Sequence, residues 1–159
     1  MTMRKIALTR LLYCVFLLIL AISCAKEEDK KLFKLNYGTS FGMCVGYCKK
    51  SMSLEAGYIT YNRSGWVDTI KTITCKEVLD NNDWIFFNEQ LDISAFLKLQ
   101  EIFGCPDCAD GGAEWIEIEQ ANGNKHKVTF EYMHEPSEMK SYIDKLRELA
   151  ARSEHCGEY

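Results

Sequence analysis

Six cysteines set the chemical options of this chain: Cys44, Cys48, Cys75, Cys105, Cys108 and Cys156. Two pairs lie close in sequence, Cys44-Val45-Gly46-Tyr47-Cys48 and Cys105-Pro106-Asp107-Cys108. Thiols at such spacing do one of three things. They close structural disulfides in an oxidising compartment. They cycle as a redox pair where a helix N-terminus or a nearby cation lowers one thiol pKa. Or four of them hold zinc, for which Cys44, Cys48, Cys105 and Cys108 have workable spacing. The redox option is weakened by Ala109-Asp110-Gly111-Gly112, a poor helix start, and by the lack of a Trp before Cys105. No βαβ context surrounds the pair either. Asp107, Asp110 and Glu114 would supply calcium ligands, but only their closeness in sequence favours it. The compartment decides among these chemistries.

The N-terminus names that compartment. Arg4, Lys5 and Arg10 precede an almost wholly apolar run from Leu11 to Ile22, and the small residues before Cys24 end it. A basic start, an apolar stretch of this length and a small-residue exit form a secretory signal. The run has 12 residues, whereas a spanning helix needs about 20. Residues 1–23 therefore read as a signal peptide, 24–31 as a charged tether and 32–159 as one domain. The Leu20-Ala21-Ile22-Ser23-Cys24 junction resembles that of bacterial lipoproteins, although their usual Leu three residues before the Cys is Ala21 here. Cysteine counting agrees with lipidation. Of eight cysteines Cys14 leaves with the signal, and an odd seven remain unless Cys24 carries lipid.

The tether adds an address. Cys24-Ala25-Lys26-Glu27-Glu28-Asp29 resembles the signal that sends lipoproteins of Bacteroides-type Gram-negative bacteria to the outer face of the outer membrane. The expected location is the outer membrane, lipid-anchored and exposed at the cell surface. After residue 23 the chain has 16 Lys and Arg against 23 Asp and Glu, a formal charge of −7. That excludes nucleic acid as a partner, because its binding relies on basic patches. It also disfavours direct adhesion to anionic membranes, leaving attachment to the lipid.

The elements that must position the cysteines read as follows. Leu32, Phe33 and Leu35 begin a strand, and Gly38 to Cys48 is a glycine-punctuated loop. Ser51 to Glu55 and Tyr58 to Tyr61 flank Ala56-Gly57 as a hairpin. Trp66 to Thr74 predicts a third strand. Thr74-Cys75-Lys76-Glu77 fits a capping box, so a helix starts there or restarts near Asn82, with Trp84, Phe87 and Leu91 on one side. Asp92 opens a second short helix carrying Phe96, Leu97 and Leu99, ended by Gly104. Trp115 to Glu119 and Lys125 to Tyr132 alternate around Asn122-Gly123 as the clearest hairpin. Ile116, Ile118, Val128, Phe130 and Tyr132 should share its buried face, with Glu117 and Glu119 outward near Lys125 and Lys127. Pro136 starts a last helix with Met139, Ile143, Leu146 and Ala150 on one stripe. The fold class is α+β, an antiparallel sheet with two or three helices packed on one face, stabilised by disulfides.

Gly42-Met43-Cys44-Val45-Gly46-Tyr47-Cys48 and Gly104-Cys105-Pro106-Asp107-Cys108-Ala109-Asp110-Gly111-Gly112-Ala113-Glu114-Trp115-Ile116-Glu117-Ile118 resemble a family of uncharacterised lipoproteins from the same bacterial group, over roughly Leu32 to Leu149. The resemblance carries over no activity and no catalytic residue.

Structural disulfides are the preferred chemistry. Cys44–Cys48 and Cys105–Cys108 form local bridges, or these pairs cross-link the two loops, and Cys75–Cys156 ties down the C-terminal tail. No metal and no cofactor are expected. His126 lies on the apolar side of a strand as a core or rim residue, and Trp66 and Trp84 read as packing residues. Trp115 is the exception, because alternation places it on the Glu117 face, where it is a candidate contact for a glycan or an envelope protein. The expected function is a non-enzymatic binding or structural role. The alternatives are a thiol–disulfide oxidoreductase using Cys105 and Cys108, or a zinc-binding module.

Overall fold

The computed structural model describes residues 32–152. Cys24, the tether and Cys156 lie outside the described residues. The strands are β1 (Leu32–Ser40), β2 (Lys49–Glu55), β3 (Tyr58–Ser64), β4 (Ile73–Val78), β5 (Ile102–Phe103), β6 (Ala113–Gln120) and β7 (Lys125–Glu131). The helices are α1 (Asn81–Gln90), α2 (Ile93–Phe96) and α3 (Lys140–Arg152). The seven strands form one sheet in the order β4-β3-β2-β1-β6-β7-β5. Every pairing is antiparallel except the two-residue β5, which runs parallel to β7. The sheet dominates, and the three helices are a minority of the fold.

Strand β1 is central, paired with β2 on one side and β6 on the other. Its register shifts between Leu32 and Lys34. The extra residue at Phe33 lets Leu32 and Leu35, three apart, both enter the core while Phe33 stays exposed. Gly57 and Gly123 take positive φ in the turns of the β2–β3 and β6–β7 hairpins. That conformation costs glycine nothing, which is why both turns close tightly.

Alternation along the strands sends Leu35, Tyr37, Met52, Leu54, Ile59, Tyr61, Ile116, Ile118, Val128 and Phe130 into the core. Phe87 of α1, Ile93 and Phe96 of α2, and Tyr142, Ile143, Leu146 and Leu149 of α3 join them in one cluster. Two tyrosines stitch the elements while satisfying their own buried hydroxyls. Tyr61 donates to the Leu149 carbonyl at 3.1 Å and Tyr142 to the Phe87 carbonyl at 3.2 Å. The opposite sheet face is polar. Ser53 donates to Asn36, Asn36 to Glu117, and Thr74 to Asn62.

Five sequence expectations are corrected. Residues 65–72 are a loop rather than a strand, and β4 begins only at Ile73. The Trp66 indole N–H is drawn instead to the Phe41 carbonyl of the neighbouring connection. The capping box at Thr74 does not form, because the Thr74 hydroxyl is spent across the sheet on Asn62. Helix α1 is capped by Asp80, whose carboxylate accepts the Asn82 N–H. Tyr132 lies beyond the end of β7 and is exposed, its ring edge-on to Phe41 at 4.9 Å. The last helix opens with a 3-10 turn at Ser137–Met139, so α3 proper starts at Lys140. The short helix from Asp92 ends at Phe96, where Asp92 caps Ala95, and leaves Leu97 exposed.

On the polar face the Trp115 indole lies across Gly38. A Cβ on Gly38 would stand 2.6 Å from the ring and 2.8 Å from the Lys50 carbonyl oxygen. Gly38→Ala should therefore destabilise the domain by about 1–3 kcal/mol through overpacking. Thermal unfolding followed by tryptophan fluorescence checks this, with the native Trp115 emission shifted in the variant. An unchanged midpoint and spectrum would contradict the packing described.

Candidate functional site

The four connections at the Ser40 end of β1 span residues 41–48, 65–72, 104–112 and 132–139. Phe41 and its neighbour join them. The Phe41 carbonyl accepts from Trp66, its ring meets Tyr132, and Gly112 packs against that ring. Gly42 donates its N–H to the Asp107 carboxylate at 3.1 Å. Each cysteine pair closes within its own loop, Cys44–Cys48 and Cys105–Cys108. The cross-linking alternative between the loops is thereby excluded. Cys75 is also disulfide-bonded, and its expected partner Cys156 lies outside the described residues.

These bridges bear on the alternative chemistries. A sulfur engaged in a disulfide is not a thiolate ligand, so Cys44, Cys48, Cys105 and Cys108 hold no zinc in this state. Among the described residues no group of three or more His, Cys, Asp or Glu is placed to hold a metal ion. Glu114 is fully buried while Asp107 and Asp110 are exposed, which separates the three acids proposed for calcium. After Cys105-Pro106-Asp107-Cys108 the backbone makes only a three-residue 3-10 turn, with Asp107, Ala109 and Asp110 at positive φ. No helix begins there to stabilise a thiolate through its dipole.

The least expected feature is ionic. Glu114 shares the inward parity of Ile116 and Ile118 and has no exposed surface. Arg147 from α3 meets it in bidentate fashion, Nε to one oxygen at 2.9 Å and an Nη to the other at 2.7 Å. Tyr37 donates to the same carboxylate, and the Met133 N–H adds a bond at 3.2 Å. Arg147 also reaches Glu135 and Asp144. Four hydrogen bonds from three residues thus satisfy one buried carboxyl, which is what a buried charge requires. Burial, then Glu114, raises the Tyr37 phenol well above the usual range, so it stays a donor. Burial opposes the Arg147 charge, but Glu114 and Glu135 outweigh it and raise its pKa. Hydrogen bonding to Arg147 is the main reason that Glu135 falls from 4.5 to about 2.

Beside this network a cavity of about 250 Å³ opens between the sheet and α3, lined by Tyr37, Met52, Tyr61, Tyr132, Arg147 and Ala150 among others. Its polar groups are largely committed. Tyr37 serves Glu114, and Arg147 serves three carboxylates. Tyr61 serves Leu149, and burial pushes its phenol up to about 12. The volume is below the roughly 300–1,000 Å³ of ordinary small-molecule sites. The cavity suits a small apolar group and offers no acid–base pair poised for catalysis.

Trp115 lies on the Glu117 side of β6, as alternation predicts, but it is half-buried between Gly38 and the Lys127 ammonium, 4.3 Å from the ring centroid. It is an intrasheet platform more than an open one. His126 contacts the Leu99 carbonyl and the Phe96 ring, and His134 the Tyr132 carbonyl. Both histidines serve local structure. Lys125 pairs with Glu119 at 3.0 Å and Lys127 stands opposite Glu117, the outward arrangement that alternation implied. Sequence reading missed the Glu114–Arg147 pair. Its one visible signal was a glutamate in phase with two core isoleucines.

Glu114→Ala should cost about 3–5 kcal/mol, because it removes the bidentate partner of Arg147 and leaves the Tyr37 hydroxyl and the Met133 N–H without their acceptor; urea unfolding measures it. Glu135 gives a pH signature. Its folded pKa is depressed, so its contribution is complete above its ordinary value near 4.5 and lost as pH falls towards about 2. Stability should fall over that window and fall less steeply in Glu135→Gln. Equal slopes for the two proteins would remove Glu135 from the acid response.

No protein-family model matches the chain, and no curated protein matches it.

Proposed function

We propose that this chain is an exported, lipid-anchored protein of the outer membrane with a non-enzymatic binding or structural role, facing the cell surface. One observation carries the reading. All five described cysteines are spent as cross-links, which suits an oxidising compartment and agrees with the signal peptide read from residues 1–23. The helices are proposed to form the layer over one sheet face, with the polar face of Asn36, Trp115 and Glu117 left outward. The committed polar groups of the cavity and the locally bonded histidines support binding over catalysis. Attachment is supplied by lipid on Cys24, and the acidic tether directs the domain outward.

In the native host, Cys24 should carry acyl chains detectable by mass spectrometry and by metabolic labelling with a fatty-acid analogue. Cys24→Ser should lose the label and leave the membrane fraction, and protease added to intact cells should digest the wild-type domain. An unmodified Cys24 in membrane-derived protein would sink the lipid anchor, and protection from external protease would sink the outward orientation.

A further inference from the structure

The same loop end carries a concentration of exposed apolar residues that neither the core nor the cavity uses. Met43, Val45 and Tyr47 project from the Cys44–Cys48 loop, and Trp66 and Val67 from residues 65–72. Val45 is 101% exposed and Met43 80%, so neither touches a neighbour that would explain it. The two loops form one body. Trp66 donates to the Phe41 carbonyl at 2.8 Å, and Gly65 is so close to the Gly46 carbonyl that an added Cβ would stand 3.0 Å from it. The disulfide and the Phe41 N–H to Cys48 carbonyl bond hold the first loop closed. Exposed apolar residues gathered in one place mark an interaction site.

Charge selects the partner. Lys49 lies over the Trp66 ring at 3.8 Å and Arg63 over the Tyr47 ring at 5.3 Å. Lys71 is exposed in the second loop, and Asp68 is the one acid on the two loops. A cationic rim with apolar tips thus sits on a chain that is acidic as a whole. The apolar side chains project instead of lining a hollow, so they are shaped to enter a soft medium and not to receive a knob. Aromatic residues paired with Lys and Arg behind aliphatic tips match the layering of a membrane interface.

We propose that this loop end is a membrane-contact surface for an anionic phospholipid bilayer. Met43, Val45, Trp66 and Val67 enter the boundary between headgroups and acyl chains, and Lys49 and Lys71 meet the phosphates. The surface lies at the end of β1 remote from Leu32, a separation of about 30 Å for a nine-residue strand. It is a second attachment point, independent of lipid on Cys24. The expectation from net charge, that anionic surfaces are avoided, is reversed locally by where the cations fall.

The test uses the chain from residue 24 onward with Cys24→Ser and its disulfides formed, which retains every described element. Vesicles are phosphatidylcholine alone or with one third phosphatidylglycerol. The protein should float with the anionic vesicles at low salt, with a blue shift in tryptophan emission, and should release at high salt. Val45→Asp with Val67→Asp should weaken partitioning by about tenfold or more, since each places a charge where an apolar group was buried. Val78→Asp serves as the control, because Val78 is 82% exposed at the opposite end of the sheet. It should partition like the parent. Absence of flotation, or equal loss in the Val78 variant, overturns the proposal. So does a dimer that Val45→Asp and Val67→Asp dissolve without any vesicle binding, which would make the patch a protein contact.

Discussion

Everything in this domain depends on β1 pairing along both edges. A lone β-hairpin is marginal in water, and three or more strands with an apolar face are needed for independent stability. The β2–β3 and β6–β7 hairpins are far apart in sequence, and β1 is the strand that makes them one sheet. It also places Tyr37 under Glu114, Gly38 under Trp115 and Phe41 among four connections. A central strand that comes first in the chain leaves both its partners to be added by long-range contacts. Leu32 and Leu35 reach the core together only because the bulge at Phe33 resets their phase.

The two ends of the sheet have different physical characters. One end holds the tight glycine turns of the hairpins and the entry of the chain at Leu32. The other gathers the four longer connections, both local disulfides and the buried carboxylate network behind them. Glu114 and Arg147 fasten α3 to β6 where a purely apolar contact would serve stability as well, since buried ion pairs often do no better than hydrophobic substitutes. What the pair adds is directionality. A bidentate guanidinium–carboxylate contact allows one rotation and one height of α3 against the sheet. That geometry sets the wall of the cavity and keeps the phenols of Tyr37 and Tyr61 occupied.

Much of this was legible residue by residue. The β6–β7 hairpin was readable because its period-2 pattern is long and Asn122-Gly123 supplies the turn chemistry. The β2–β3 hairpin followed from Ala56-Gly57, and the stripe of α3 from its 3.6-residue period. The failures occurred where local signals competed. Thr74 and Glu77 carry the letters of a capping box, yet pairing with β3 spends that hydroxyl on Asn62 and keeps the segment extended. The β-branched run after Trp66 looks like a strand, but no partner remains for it until Ile73. Strand β5, two residues long, has no pattern of its own and exists because β7 offers an open edge.

The sequence by itself determined the hairpins and the inward parity of the core residues, because each depends on neighbours within a few positions, whereas the choice between local and loop-to-loop cysteine bridges was made by the structure. The sequence also determined the signal-like N-terminus and the acidic balance of the chain. Only the tertiary structure decided that Glu114 meets Arg147, that Trp115 lies on Gly38 and that the apolar tips of two loops share one basic rim. Those contacts join residues 33, 77 and about 20 positions apart. Their partners are chosen by strand register and helix placement, and no local propensity encodes either.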